Sequence, residues 1–98
     1  MTVLILPSAN LDLAEGYYFY ENQETGVGQY FLESLATQIE TLSRLAGIHR
    51  KVGGYHKLLV SRFPYSIYYS IENESILVRA VVDGRRDPRW IAKKLKSI

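Results

Sequence analysis

Val27, Phe31, Leu35, Ile39, Leu42 and Ala46 recur at steps of four, four, four, three and four. That is one continuous apolar stripe on a helix of about 3.6 residues per turn. Gly47 follows the stripe and is placed to end the helix in the left-handed conformation. Ahead of it, Glu24-Thr25-Gly26 reads as a loop. A first helix precedes the loop, with Ala9, Leu13, Gly16, Tyr17 and Tyr20 on one face. Two helices joined by so short a loop make an antiparallel hairpin. Glycine costs about 1 kcal/mol against alanine inside a helix, and a close helix crossing would explain Gly16. Upstream, residues 2–6 read as a short, largely buried strand ended by Pro7. Ser8 is expected to cap the helix with its hydroxyl, with Asp12 and Glu15 in the early turns where the helix dipole favours anions.

After Gly53-Gly54 the period changes from helical to two. Residues 56–62, 65–71 and 76–82 read as three strands, broken by Phe63-Pro64 and turned at Glu72-Asn73-Glu74-Ser75. Tyr65, Ile67, Tyr69 and Ile71 alternate with Ser66, Tyr68 and Ser70. Ile76, Val78, Ala80 and Val82 alternate with Leu77, Arg79 and Val81. Short connections make the three strands an antiparallel meander. Gly84-Arg85-Arg86-Asp87-Pro88 is a charged loop, and Pro88 suits the first turn of a last helix carrying Trp90, Ile91 and Leu95. The order is β-α-α-β-β-β-α, an α+β fold in which an antiparallel sheet packs on a helical hairpin. Phe31, Leu35, Ile39 and Leu42 are expected to face Ile67, Tyr69, Val78 and Ala80. The far side of the sheet is expected to stay open and to carry Arg62 and Arg79.

Length bounds this reading to a single domain, residues 1–98. No apolar run is long enough to span a bilayer, and no signal-peptide pattern is present. The chain has no cysteine, which excludes disulfides and thiolate metal sites and fits a cytoplasmic protein. With two histidines, His49 and His56, and acids mostly on other segments, neither a metal nor another cofactor is expected. Phosphate-loop, dinucleotide and nucleophile-elbow patterns are absent.

Charge is divided along the chain. Residues 1–49 hold one basic side chain, Arg44, and six acidic ones; residues 50–98 hold eleven basic and four acidic. The split points to a polyanionic or acidic partner for the second half, or to acidic helices that neutralise a basic sheet. Arg62, Arg79, Arg85, Arg86 and Arg89, with Trp90 beside them, form a candidate polyanion or target site on the sheet and its exit loop. Arginine binds phosphate or carboxylate through a planar fork and keeps its charge. The alternative is surface solubility or an internal ion network. His56 is either a proton carrier near neutral pH or an exposed strand-end residue. The Tyr17-Tyr18-Phe19-Tyr20 run offers rings for base stacking, but helical spacing sends Tyr17 and Tyr20 to the core. Leu11 and Tyr18, seven apart and off the main stripe, form a second apolar streak that a partner can cover.

Arg62-Phe63-Pro64-Tyr65-Ser66-Ile67-Tyr68-Tyr69 resembles the R-F-P-Y-x-I-Y-Y core of RelE/ParE-superfamily toxins. Ala80-Val81-Val82-Asp83-Gly84-Arg85-Arg86-Asp87-Pro88 is similar to their A-V-x-H-x-R-R-D-P segment. Pro7-Ser8-Ala9, Leu13 and Tyr17-Tyr18 resemble the first-helix signature. The resemblance implies a type II toxin held inactive by an antitoxin from the adjacent gene. ParE-like members inhibit DNA gyrase; RelE-like members cut messenger RNA on the ribosome. In the nuclease branch, Arg62 and Arg86 match the phosphate-holding arginines. Asp83 stands where many relatives have histidine, and Trp90 lies near the position of a catalytic tyrosine. That would leave Arg62, Arg86, His56 and Asp83 as the nuclease set. The F-P-Y and R-R-D-P wording is ParE-like, so a non-enzymatic action on gyrase is expected ahead of an endoribonuclease. A third reading is an inactive relic that only binds antitoxin.

Overall fold

The computed structural model describes residues 1–98. The chain runs β1 (Thr2–Ile5), α1 (Pro7–Gln23), α2 (Val27–Glu40), α3 (Leu42–Leu45), β2 (Lys51–Val52), β3 (Tyr55–Leu59), β4 (Tyr65–Glu72), β5 (Ser75–Asp83) and α4 (Pro88–Lys96). One mixed sheet has the order β1-β5-β4-β3-β2. The meander β3-β4-β5 is antiparallel, and β1 joins β5 in parallel. The expected strand order therefore holds, with two additions. Gly53 and Gly54, both at positive φ, turn a short hairpin that pairs Lys51–Val52 with Tyr55–His56. The long helix is interrupted at Thr41, whose hydroxyl donates to the Gln38 carbonyl at 2.6 Å.

The helical hairpin packs as its stripe requires. Phe31, Leu35, Ile39 and Leu42 are buried against Ile67, Tyr69, Ile76 and Val78. The crossing of α1 and α2 is close at both glycines. A Cβ on Gly16 would lie 2.5 Å from Phe31 Cζ, and one on Gly28 would lie 2.7 Å from the Tyr17 carbonyl oxygen. Both contacts are impossible for a real side chain, so the absent Cβ sets the helix spacing and offsets glycine's cost in a helix. Gly47 has φ 95° and closes the helical segment as expected.

Four expectations are corrected. β1 is an edge strand whose Leu4 and Ile5 are exposed; of its residues only Val3 packs against the core. Ser8 is not a cap: Pro7 opens the helix, and the Ser8 hydroxyl donates 2.7 Å to the Arg79 carbonyl. The first meander strand stops at Leu59, and Arg62 sits in the following loop at φ 74°. Ala80 faces away from the hairpin. The β4–β5 register shifts between Tyr68 and Tyr69, where Tyr68 pairs with Ala80 but Tyr69 with Val78. Arg79 is thus an extra residue in a β-bulge, and the bulge reverses the alternation that follows it.

The far face of the sheet is not open either. Leu95 packs with Tyr68, Ala80 and Val82 in a second core, flanked by Ile91, Val52, Tyr55 and Ile98. The Tyr55 hydroxyl donates to the Ile98 carbonyl at 2.8 Å and ties down the end of the chain. The helix owes its start to Asp87, whose carboxylate accepts from the Arg89 amide at 2.7 Å, with Pro88 in the first turn.

Candidate functional site

β1 ends at Ile5 and leaves part of the β5 edge without a strand partner. Two α1 side chains replace it. Ser8 donates to the Arg79 carbonyl, and Asp12 accepts from the Val81 amide at 2.8 Å. The other oxygen of Asp12 accepts from Lys94 Nζ at 2.6 Å. One carboxylate, 8% exposed, therefore joins α1, β5 and α4.

Above this bolt lies a cavity of about 380 Å³. Glu15, Gly16 and Phe19 supply its α1 wall; Tyr65, Val81, Val82 and Asp83 supply the sheet end; Arg86 and Trp90 close it from the exit loop and α4. Phe19 and Trp90 are exposed apolar residues, at 49% and 40%. The Arg86 guanidinium lies over the Trp90 ring, 4.1 Å from its centroid. Phe19 was read from the sequence only as part of an aromatic run. It follows Tyr18 directly on α1 and stands about a quarter-turn around the helix from it, on the cavity wall beside Glu15.

The five arginines are not brought together. Arg79 is bound to Ser70 and Glu72 and lies over the Tyr55 ring, 5.6 Å away. Arg85 makes a fork with Asp83, at 3.1 and 2.8 Å. Arg89 reaches Asp87 at 3.5 Å. Arg62 turns to the hairpin side, donating 3.2 Å to the Tyr30 hydroxyl in a separate hollow with Glu33 and Gln38. Arg62 and Arg86 have no carboxylate partner, and only Arg86 faces the cavity.

Proton chemistry is poorly served here. The Arg85 guanidinium and amide hold the Asp83 carboxyl below the usual carboxylate range. Burial, with Tyr20 and Asp83 nearby, pushes Tyr65 up to about 12. Both groups keep one protonation state across the neutral range, which suits binding rather than acid–base transfer.

His56 lies on β3 with its ring stacked on Tyr69 at 5.0 Å, and its Nδ1 donates to the His49 carbonyl at 2.6 Å. It does not line the cavity of Arg86 and Asp83. Tyr69, fully buried, accepts from the Gly47 amide at 3.0 Å, and its hydroxyl lies 2.6 Å from His49 Nδ1. The hydroxyl can donate to His49 only while Nδ1 is unprotonated. Burial and the neighbouring His56 lower its pKa. The folded state thus binds fewer protons than the unfolded one. The stabilisation is full above the ordinary histidine pKa and is lost as pH falls through the depressed folded value. Denaturant midpoints should therefore drop between about pH 7 and pH 5. His49→Gln, which can accept from Tyr69 but does not titrate, should flatten that slope; an unchanged slope would refute the lock.

The model of the ParE toxin of the type II toxin–antitoxin system parDE matches residues 3–88. The chain belongs to the ParE toxin family. A solved structure titled as the chromosomal ParDE toxin–antitoxin system from P. aeruginosa has the same fold. Its TM-score is 0.78 at 20% identity, covering 85% of this ParE-family chain and 95% of that one. No curated protein sequence matches. No helix of this ParE-family chain is long and apolar enough to cross a membrane. The family match ends at Pro88, the first residue of α4.

Proposed function

We propose that this type II toxin acts in the cytoplasm by binding, with DNA gyrase as its target, and is silenced by a cognate antitoxin. The observation that carries the reading is the covered sheet face. A nuclease that holds RNA against the sheet needs that surface, and here Leu95 and Ile91 of α4 occupy it. The ion-paired Asp83 and the dispersal of Arg62, Arg86 and His56 point the same way. Gyrase comes from the ParE-like sequence motifs and the family.

The antitoxin surface runs along α1. Leu11 and Tyr18, 61% and 63% exposed, form an apolar strip, and Phe19 directly after Tyr18 stands on the cavity wall. A partner helix with apolar residues at helical spacing would bury that strip. Arg86, which makes no ion pair of its own and is presented on Trp90, is the residue of this end best placed to hold an acidic group.

Brief induction should block gyrase supercoiling and induce DNA-damage signalling while messenger RNA stays intact. Arg86→Ala should abolish growth inhibition. Co-expressed antitoxin should suppress it, and Tyr18→Asp should weaken that suppression. Primer extension is the decisive assay. Discrete messenger cuts within codons, lost in Arg86→Ala, would replace this reading with the endoribonuclease. An intact messenger with no effect on gyrase, but a stable antitoxin complex, would identify a binding relic.

A further inference from the structure

The charge of this end of the molecule gathers on α4 rather than on the sheet. Residues 85–98 contain six basic side chains and one acidic one. Asp12, Asp83 and Asp87 each already hold a cation, Lys94, Arg85 and Arg89 respectively. Lys93 and Lys96 make no side-chain hydrogen bond or ion pair, and the Arg89 side chain is 93% exposed. Arg89, Lys93 and Lys96 are spaced by four and three, so they lie on one stripe opposite the buried Leu95 and the half-buried Ile91. The stripe is about 10 Å long.

Helix electrostatics explains only part of it. Lys93 and Lys96 favour the negative end of the helix dipole. Arg89 lies in the first turn, where a cation is disfavoured; its long 3.5 Å contact with Asp87 offsets part of that cost and leaves the guanidinium exposed.

The geometry points to the outward face of α4 as a binding surface for the sugar–phosphate backbone of duplex DNA, read without base specificity. Three cations along one convex helix face can meet successive phosphates, whose neutralisation releases counterions. A protein partner of comparable affinity would need an apolar anchor, and this stripe has none. Single-stranded RNA would need exposed stacking rings; Trp90 lies off the stripe and is overlaid by Arg86. Glu24, Glu33 and Glu40 are exposed on the hairpin, so the field of the molecule turns α4 toward a polyanion. DNA binding here stands apart from gyrase as target, because the assay contains neither gyrase nor antitoxin.

The test is fluorescence anisotropy of a labelled duplex of about 20 base pairs with the full chain. Three phosphate contacts predict a roughly 40-fold loss of affinity between 50 and 200 mM salt. The combined variant Arg89→Gln, Lys93→Gln, Lys96→Gln should lower the salt slope by about three, and Lys93→Gln with Lys96→Gln alone by about two. Both variants should keep the wild-type circular dichroism, since all three side chains are exposed and the Asp87 cap bonds the Arg89 backbone amide, which glutamine retains. Absence of binding by micromolar protein at 50 mM salt would overturn the assignment, as would an unchanged slope in both variants. Poly-glutamate that displaces the duplex equally well at matched charge would replace DNA by an acidic protein. Tighter binding of single-stranded RNA would replace it by RNA.

Discussion

Asp12→Ala is expected to destabilise the fold by about 2–4 kcal/mol, a large part of the margin of so small a domain. The carboxylate accepts from the Val81 amide and from Lys94. Alanine would leave a backbone donor at the strandless stretch of β5 unpaired and a largely buried ammonium without its counter-charge. Removal of one partner of a buried pair costs more than the pair contributes, because the remaining group stays desolvated. The Lys94 side chain is 20% exposed, so water offsets part of the loss. In a domain of this size the melting temperature should fall by about 10–25 °C. Asp12→Asn, which still offers an oxygen to Val81, should lose less. A melting temperature of Asp12→Ala within two or three degrees of wild type would show that α4 does not depend on this contact.

Leu35→Ala is the second large effect. Leu35 is 0% exposed, at the centre of the stripe that meets the sheet. Truncation removes buried apolar surface and leaves a void that close-packed neighbours refill only in part, at a cost of about 2–5 kcal/mol. The denaturant midpoint should move strongly while the slope stays constant. A midpoint equal to wild type would contradict the burial of this face of α2.

Leu35 and its stripe were legible in the sequence because a helix face is a local pattern. The meander was legible for the same reason, through period two between turn residues. The β-bulge was not. Arg79 and Ala80 fit the alternation as written, and nothing in the chain announces that two residues will oppose Tyr68. The exposure of β1 was hidden because four apolar residues read alike at the edge and in the middle of a sheet. Among site residues, Arg86 and Trp90 were visible as types and in sequence order. Their separation from Arg62 and Arg79 was not, since it depends on carboxylates and rings supplied by other elements, such as Glu72 for Arg79 and Tyr30 for Arg62. Asp12 read as an ordinary early-turn acid; its partners are 69 and 82 residues away.

Those separations govern the order of assembly. β1 pairs only with β5, and Ser8 reaches a carbonyl 71 residues later. The first strand and first helix emerge from the ribosome long before their partners exist. Loop closure over such distances precedes the contacts that offset it, which slows folding relative to an all-helical domain of this size. Until β5 is synthesised, the apolar Val3-Leu4-Ile5-Leu6 segment has no strand to join and offers itself to any other extended chain. The toxin's amino terminus is thus the last part to find its place and the first exposed to aggregation.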